Sequence, residues 1–341
     1  MIKSITYEGL LGQKGNDSTI EFNPQLNIIT GRNGSGKTTL LKLLWCCISG
    51  RFDILTQEID FTSIEVLTDK ATIKISKDQK LFDLQIATEQ RTFKPIRNYT
   101  LYPIEDGIHS SLYFPSFRRI EGGYTIVPKI GEEVQNNEIY QAFNDLSQRL
   151  SSQSSYNHRF VAYVSTNDLD RQVSGEMAFI GTQKDNINKS KDEAILKIAE
   201  KGNTNNGIAD IIKTAQKELT ALEAGINTLH SLVDQHIKKS ILLTNKLTVG
   251  TTNKFHPIPS QRLSAGEKQL FAFFCYNIFT KNATIFIDEP ELSLHPDWQR
   301  AFVPLLLEQS SSNQFIMTTH SDFIAALYPE YEIELNKDKG F

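Results

Sequence analysis

Four short segments of this chain carry the residue types that bind and hydrolyse a nucleoside triphosphate. In chain order they are GRNGSGKT at Gly31–Thr38, LSAGEKQL at Leu263–Leu270, IFIDEPELSLHP at Ile285–Pro296 and TTHS at Thr318–Ser321. A single segment could arise by chance. The four in this order predict a complete nucleotide-hydrolysing machine that closes on a second copy of itself.

The first segment has the spacing G-x-x-x-x-G-K-[ST]. A glycine-rich turn of this kind lets successive backbone N–H groups surround a polyphosphate at the N-terminus of a helix. We expect Lys37 to reach the β- and γ-phosphates of ATP and Thr38 to place its hydroxyl on Mg²⁺. The other residues expected to contact phosphate are Gly31, Asn33, Gly34, Ser35, Gly36 and Thr39.

The flanking sequence suits such a loop. LNIIT at Leu26–Thr30 is typical of a buried strand that enters it, and TLLKLLWCCI at Thr39–Ile48 is typical of the helix that leaves it. The spacing alone should occur by chance in roughly 1% of chains of this length. With the strand and the helix on either side, a chance match is rarer still.

The third and fourth segments predict the hydrolytic side of the site. Asp288 and Glu289 follow an apolar run, as in a buried parallel strand that delivers acids to its carboxyl end. We expect Asp288 to hold Mg²⁺, usually through water, and Glu289 to orient and deprotonate the attacking water. The run at Gln314–Ser321 places His320 where a sensor of the γ-phosphate is needed. The alternatives are that the two acids belong to an ordinary turn and that the histidine is structural.

Together the Walker A loop, the LSAGEKQ signature, DEPELSLHP and TTHS resemble the ABC-type ATPase heads of the SMC, RecF and OLD-like proteins of the AAA family. Such heads bind two ATP molecules with Mg²⁺ between two protomers, and each site pairs the Walker motifs of one protomer with the signature of the other. The resemblance implies that Ser264, Ala265 and Gly266 contact the γ-phosphate of the partner's nucleotide, and that Ser293–His295 form the D-loop at the boundary between the two protomers. The residues alone show a Ser-capped helix, which could face a phosphate or simply belong to the core.

The segment LYFPSFRRIEGG at Leu112–Gly123 resembles one found in ATPases of bacterial anti-phage systems, such as those associated with PARIS, Septu and retrons. By position it is the Q-loop, which normally offers a glutamine to Mg²⁺ and the attacking water. This chain has no glutamine there. Ser116, Arg118 or Arg119 could replace it, the two arginines could face a partner or a phosphate, or they could be ordinary surface residues.

These features predict an α/β fold, namely an ABC-type ATPase head with a P-loop core sheet flanked by helices, an antiparallel β-lobe and a short helical, coiled-coil-like insertion. Strands at Ile2–Tyr7 and Ser18–Phe22 indicate the start of the β-lobe. The alternating stretch Phe61–Thr88, with turns at Thr68–Lys70 and Lys77–Gln79, continues it as an antiparallel meander.

The insertion is predicted to be mostly helical from Gly131 to Val249, apart from a strand-like run at Phe160–Val164. Apolar residues at spacings of three and four form one seam of Ile208, Ile212, Ala215, Leu219, Leu222, Ile226, Leu229 and Val233, and a second of Ile139, Phe143, Leu146 and Leu150. Two helices packed along these seams would form a short antiparallel stalk with its turn at Lys201–Gly207. The alternative is a set of ordinary helices packed on the head.

Length and composition restrict the class of protein. At 341 residues the chain can hold one large α/β domain and an insertion. We place the first half of the head in residues 1–124, the insertion in 125–250 and the second half in 251–341. The net charge of −4 and the pI near 6.0 give no nucleic-acid footprint, so DNA binding is open but not indicated.

The apolar content and the cysteines indicate the compartment. The longest apolar run is Phe271–Phe279, and no targeting segment is evident, so we expect a cytoplasmic protein with no membrane partner. Cys46, Cys47 and Cys275 lie in apolar helical surroundings without metal-ligand spacing, and we expect buried, reduced thiols.

We therefore expect an ATPase that forms an ATP-dependent homo-oligomer and regulates a separately encoded effector, a nuclease being one candidate, in bacterial anti-phage defence. The chain ends soon after His320, so we expect no C-terminal nuclease domain of the kind found in OLD-like proteins. One alternative is an ATPase of DNA repair or chromosome maintenance that binds DNA. The nucleotide-binding component of a membrane transporter is disfavoured by the long separation of Walker A from the signature, and a module that binds ATP without hydrolysis is the remaining alternative.

Overall fold

The structure is a computed structural model. It describes residues 1–12, 17–76, 81–86, 89–93, 110–120, 145–151, 158–164, 166–200, 205–243, 247–250, 257–258, 263–309 and 311–335. The chain forms two compact units: unit 1 comprises Met1–Arg119, Thr125–Tyr163 and Thr280–Phe341, and unit 2 comprises Ile120–Tyr124 and Val164–Phe279. The boundaries predicted at residues 124 and 250 divide the chain by its sequence motifs. They stay a prediction.

Among the described residues, unit 1 contains a six-stranded antiparallel sheet. Its strands lie in the order β2 (Ser18–Glu21), β1 (Ile2–Glu8), β4 (Ser63–Thr68), β5 (Ala71–Ser76), β6 (Leu81–Ile86) and β7 (Glu89–Phe93). Between β4 and β5 the Thr68 hydroxyl accepts a hydrogen bond from the Ala71 N–H at 2.8 Å and closes the predicted turn. The antiparallel β-lobe is confirmed, while the predicted turn at Lys77–Gln79 lies outside the described residues.

A second sheet of unit 1 is parallel in each described pairing. Its strands lie in the order β10 (His158–Phe160), β8 (Ser111–Phe114), β15 (Thr284–Asp288), β16 (Gln314–Thr318), β3 (Leu26–Thr30) and β17 (Glu332–Glu334). Each residue of β15 and β16 is buried, which is why these strands have continuous apolar sequences. In register, Asp288 at the end of β15 pairs with Thr318 of β16. The predicted core sheet is confirmed.

Helix α1 (Lys37–Ser49) belongs to the buried apolar cluster that both sheets share. Its leucines and cysteines, together with Trp45, belong to one buried cluster with Ile5 and Val66 of the antiparallel sheet and Phe286 and Ile316 of the parallel sheet. Cys46, Cys47 and, in the second unit, Cys275 are buried and not in disulfides. Burial raises the pKa of the Cys46 thiol to about 12, so it is protonated at neutral pH.

Other described elements of unit 1 lie outside the two sheets, and they include 3-10 turns at Leu10–Gly12 and Pro329–Tyr331. The others are α2 (Phe52–Glu58), β9 (Arg119–Ile120, whose last residue belongs to the second unit), α3 (residues 145–151), β11 (Tyr163–Val164, likewise shared), α7 (Pro296–Glu308) and α8 (Asp322–Ala325). The strand-like run predicted at Phe160–Val164 is divided, since β10 ends at Phe160. The Ser151 hydroxyl of α3 accepts the Phe160 N–H at 2.9 Å, and that of Ser147 accepts the Ala162 N–H at 3.0 Å.

Unit 2 is built on two long helices in contact, α4 (Thr166–Glu200) and α5 (Asn205–Leu232). Lys184 of α4 forms an ion pair with Glu223 of α5, and Ile198 lies beside Gly207, so the two helices are antiparallel. A π-helical turn at Val233–Ile237 ends α5, and Lys238 at φ 55° stops it. The described part then continues with β12 (Ser240–Leu243), β13 (Leu247–Gly250), β14 (Pro257–Ile258) and α6 (Ala265–Phe279).

The helical insertion is confirmed, and α4 and α5 are antiparallel on either side of the predicted turn, whose residues 201–204 lie outside the described residues. The predicted partner seam is not the helix beside α5, and its Ile139 and Phe143 lie outside the described residues. The seam from Ile208 to Val233 lies on α5 and its π-helical end, yet the helix beside it is α4. Leu146 and Leu150 of the other seam lie on α3 and pack against the core of unit 1. The described part of the chain contains no helix with the length and apolar composition that crossing a bilayer requires.

Candidate nucleotide-binding and hydrolysis site

The loop between β3 and α1 has a backbone that requires glycine. Gly31, Gly34 and Gly36 have φ values of 141°, 79° and 93°. A Cβ at Gly31 would lie 2.8 Å from the Leu335 carbonyl oxygen, and one at Gly36 would lie 3.0 Å from Leu11 Cδ1. Residues with a side chain rarely adopt these backbone conformations. The glycines of the motif therefore stand where the turn of the loop requires a positive φ.

The loop delivers the chain to the N-terminus of α1. Gly36 is the capping residue and has no side chain, so no capping oxygen occupies the N–H groups of the first turn. Such a helix N-terminus attracts anions. Among the predicted phosphate contacts, Asn33 and Ser35 lie in the loop and Thr38 and Thr39 lie in the first turn.

The Lys37 ammonium lies over this loop. It donates to the Gly31 carbonyl oxygen at 2.8 Å and to the Arg32 carbonyl oxygen at 3.1 Å, and the residue is 5% exposed. Burial lowers the pKa of Lys37, while the charges of Glu289, Asp288 and Glu291 raise it. The ammonium is therefore held by the carbonyls of the glycine loop, and the charges of the three acids favour its protonated form.

Asp288 is the point where four segments of unit 1 meet. Its Oδ1 accepts hydrogen bonds from the Thr38 hydroxyl at 3.0 Å and the Thr318 hydroxyl at 2.5 Å. Its Oδ2 accepts the Ser116 backbone N–H at 3.3 Å. The predicted pair of metal ligands, Thr38 and Asp288, is thus in direct contact although 250 positions separate the two residues.

Glu289 and His320 face one another at the carboxyl ends of β15 and β16. His320 Nε2 lies 3.8 Å from Glu289 Oε1, and both side chains are partly exposed. The Glu289 N–H donates to the Thr318 carbonyl oxygen at 3.1 Å, which joins the two strand ends. The two predicted catalytic groups are therefore adjacent to each other and open to solvent.

A known sequence family covers this site. The family described as "AAA domain, putative AbiEii toxin, Type IV TA system" matches residues 26–326. The chain belongs to this AAA-domain family. The predictions of an AAA-family ATPase and of an ATP-hydrolysing enzyme are confirmed at this level.

Two curated relatives carry names that agree with this assignment. The chain is 23% identical to the "Retron Vc95 probable ATPase" of Vibrio cholerae serotype O1 biovar El Tor, over 90% of this chain and 68% of that protein. It is 22% identical to the "Retron Ec83 probable ATPase" of Escherichia coli, over 95% of this chain and 70% of that protein. Among solved structures, an SMC head domain from Thermotoga maritima is similar with a TM-score of 0.44 and 14% identity, covering 95% of this chain and 91% of that one.

Glu291 lies at the candidate site, although it is not among the predicted site residues. Its Oε1 accepts the His320 backbone N–H at 2.7 Å, and its Oε2 accepts the Thr319 hydroxyl at 2.8 Å. The carboxylate thus fixes the loop that carries His320. The sequence contains a signal for this residue, since Glu291 is the last acid of the segment DEPE. Thr318, which binds Asp288, was likewise present in TTHS.

The predicted D-loop, Ser293–His295, is linked to the same histidine loop. Ser293 has φ 69°, and His295 caps α7 by accepting the Asp297 N–H at 3.3 Å. Gln299 of α7 donates from Nε2 to the Leu294 carbonyl oxygen at 2.9 Å and accepts the Ser321 hydroxyl at 2.6 Å. A single amide side chain therefore contacts both segments.

Arg118 is buried, which rules out the surface alternative for this residue. Its guanidinium donates from Nη1 to the Asp288 carbonyl oxygen at 2.7 Å and from Nη2 to the Glu289 carbonyl oxygen at 2.9 Å. Burial lowers its pKa to about 10, although nearby acids raise it, so the group is charged at neutral pH. In the predicted Q-loop segment, Ser116 contributes its backbone N–H to Asp288.

The signature motif begins α6 in the second unit. The Ser264 backbone N–H donates to Glu267 Oε2 at 2.7 Å, and the Ser264 hydroxyl accepts the Glu267 N–H at 3.2 Å, which together form a capping box. Ser264 is exposed, and Gly266 is buried. The Ser-capped helix N-terminus is as predicted from sequence. That Ser264, Ala265 and Gly266 contact a nucleotide stays a prediction.

Proposed function

We propose that this ATPase binds and hydrolyses ATP at the site between its glycine loop and β15, and that ATP binding controls its assembly. The observation that carries the proposal is the contact of Thr38 with Asp288, because it joins the loop of the phosphate-binding helix to the acidic strand end. Glu289 and His320 then lie beside the place that the glycine loop assigns to the γ-phosphate.

The oxygen atoms of this site fit Mg²⁺. A threonine hydroxyl and a carboxylate oxygen are 3.0 Å apart at the end of a buried strand, and oxygen ligands of this type are those that Mg²⁺ prefers. Thr38 and Asp288 would hold the ion, which when bound neutralises charge on the phosphates of ATP.

The proposed steps follow from the positions of the side chains. Lys37 exchanges its contacts with the loop carbonyls for the β- and γ-phosphate oxygens. Glu289 Oε1 accepts a proton from the attacking water, and His320 Nε2, 3.8 Å away, contacts the γ-phosphate. Glu291 and Thr319 keep the histidine loop in position during this exchange.

The proposal extends to assembly and biology. Ser264 and Gly266 of a second copy would complete each site, so ATP acts as a ligand with preference for the closed dimer. The exposure of Ser264 at the start of α6 supports this, since it leaves the hydroxyl accessible to a second protomer. The names of the two relatives, both ATPases of retrons, support a role in bacterial anti-phage defence beside a separately encoded effector, with a nuclease as one candidate. The cytoplasmic location, DNA binding and the DNA-repair alternative stay predictions.

Substitution of the two predicted key residues tests this function. We expect Glu289→Gln to bind Mg-ATP normally and to lower kcat about 100- to 1,000-fold, because it lacks the base. We expect Lys37→Ala to weaken ATP binding about 10- to 100-fold. Phosphate release and the Kd of a fluorescent ATP analogue measure the two effects.

Glu193→Gln, on the exposed face of α4, is the matched control and should hydrolyse ATP at the wild-type rate. A Glu289→Gln protein with unchanged turnover would refute the assignment of the base. Turnover that survives in both Glu289→Gln and Lys37→Ala would refute the site.

A further inference from the structure

Arg118 makes contacts that the proposed mechanism does not use. Its Nη1 donates to the carbonyl oxygens of Asp288 at 2.7 Å and Pro115 at 3.0 Å, and its Nη2 donates to that of Glu289 at 2.9 Å. The residue is 8% exposed. One charged side chain therefore binds the main chain of two consecutive acidic residues at the hydrolytic end of the sheet.

The backbone at this place is strained. Glu289 has φ 51°, in the left-handed region that non-glycine residues seldom occupy. Such a conformation persists only where the surroundings hold it. The Glu289 N–H is held by the Thr318 carbonyl oxygen at 3.1 Å, and its carbonyl is held by Arg118 on the other side.

We infer that Arg118 is a positioning residue, which holds the carbonyl groups of Asp288 and Glu289 and thereby fixes the direction of the Glu289 carboxylate. The inference rests on the proposed role of Glu289 as the base. The inference also assigns a role to the segment at the Q-loop position, which has no glutamine. Its Arg118 binds the main-chain carbonyl groups of Asp288 and Glu289.

The chemistry favours arginine for this task. A guanidinium is a rigid planar fork whose two terminal nitrogens reach adjacent acceptors at the same time. A lysine ammonium keeps the positive charge near Asp288, Glu289 and Glu291, but its three N–H groups radiate from one nitrogen and lack the planar pair of terminal nitrogens. Arg118→Lys therefore separates the two contributions, because it preserves charge and removes the fork.

The test compares Arg118→Lys and Arg118→Ala with the wild type in kcat and in the Kd for ATP. Displacement of a reacting group by about 1 Å costs about 100-fold in rate, so we expect both variants to lose about 10- to 100-fold in kcat. The Kd for ATP should change less than about threefold, because Lys37 and the glycine loop remain intact. Arg159→Lys and Arg159→Ala, at an exposed site on β10, are the matched controls and should match the wild type.

Chemical rescue distinguishes positioning from simple support of the fold. Guanidinium chloride at concentrations far below denaturation should restore the kcat of Arg118→Ala about fivefold or more, whereas methylammonium chloride should not. Neither salt should raise the kcat of the wild type or of the Arg159 variants. If Arg118→Ala does not fold, Arg118→Lys alone decides the question through its kcat and Kd.

Two results would overturn the inference. Arg118→Lys with wild-type kcat would show that charge suffices, and a parallel loss of ATP affinity and kcat would make Arg118 a phosphate ligand or a general support of the fold. Failure of the proposed function is separate, since it appears as normal turnover in Glu289→Gln. Loss of turnover in that variant with normal kcat in both Arg118 variants would reject this inference alone.

Discussion

Glu291 holds the His320 loop with a single carboxylate, and we expect this to matter for turnover. It accepts the His320 N–H at 2.7 Å and the Thr319 hydroxyl at 2.8 Å. In Glu291→Gln one of the two acceptor oxygens becomes an NH₂ group, which can only donate. We expect kcat to fall about tenfold, the equivalent of about 1.4 kcal/mol, with little change in the Kd for ATP. Phosphate release at saturating ATP measures this.

Glu308→Gln is the control, since that acid is exposed at the far end of α7. If Glu291→Gln instead weakens ATP binding and leaves kcat unchanged, the carboxylate serves the nucleotide or its ion directly. The contacts to Thr319 and His320 would then be incidental to hydrolysis.

At the residue scale, the sequence predicts the groups whose chemistry is tied to a spacing. The contact of Thr38 with Asp288 follows from two motifs and from the rule that parallel strands deliver their ends to one edge. Arg118 could not be separated from Arg119 in this way, because adjacent arginines look alike until the contacts of Arg118 are seen in the fold. Arg118 is distinguished by its hydrogen bonds to the main-chain carbonyls of Asp288 and Glu289, and a sequence pattern does not reveal such contacts.

At the scale of elements, the geometry of the glycine loop predicts how two alanine substitutions change the free energy of unfolding of the nucleotide-free protein. A Cβ at Gly31 would lie 2.8 Å from the Leu335 carbonyl oxygen, on a segment that the Leu335 N–H ties to the Thr30 carbonyl oxygen at 2.9 Å. A Cβ at Gly34 would have no atom within 4 Å. We expect Gly34→Ala to cost about 1 kcal/mol for its positive φ. Gly31→Ala should cost about 1 to 2 kcal/mol more, because the clash adds to the backbone strain.

Equilibrium unfolding in urea measures both free energies of unfolding. A Cβ at Gly31 would also lie 2.9 Å from Ser35 Oγ, and φ is 141° at Gly31 but 79° at Gly34. The difference between the two substitutions therefore measures the contacts with Leu335 and Ser35 together with the difference in backbone strain. Equal losses at the two positions would show that the loop shifts freely, and the close approach of Leu335 would then have no energetic role.

The helical insertion shows where prediction from sequence stops. The apolar repeat on α5 correctly indicated a helix with a packing face, because Ala215, Ile226 and Leu229 are buried. Its neighbour α4 is rich in Lys, Asp, Asn and Ser, and its apolar repeat is sparser, with Leu169, Val173, Ile180 and Ile187 at spacings of four and seven. Its contacts with α5 include the ion pair of Lys184 and Glu223. A seam can therefore identify a helix without identifying its partner. The left-handed Lys238 and the strands after it were also unrecognised, since the SILL and LTVG runs are too short to separate from helix.

At the scale of the whole molecule, the Walker motifs and the signature lie in different compact units. Asp288, Glu289, His320 and the glycine loop are in unit 1, and Ser264 is at the start of α6 in unit 2. If a second copy's signature completes each site, ATP should convert the protein to an even-numbered assembly. Hydrolysis shortens the life of that assembly, so the native mass of Glu289→Gln, with and without Mg-ATP, is the appropriate measurement.

The Ser264 position offers a matched pair of variants for this test. Aspartate and asparagine both cap a helix as well as serine does, so Ser264→Asp and Ser264→Asn should preserve α6. They differ in charge, and a carboxylate about 4 Å from a γ-phosphate costs about 4 kcal/mol near a protein surface. In the Glu289→Gln background we expect the asparagine variant to assemble with Mg-ATP and the aspartate variant to remain at its nucleotide-free mass. Both should keep the ATP affinity of the single protomer, since the proposed contact of Ser264 is with the partner's nucleotide. A mass that does not respond to ATP in Glu289→Gln, or that responds equally in both Ser264 variants, would contradict the shared site.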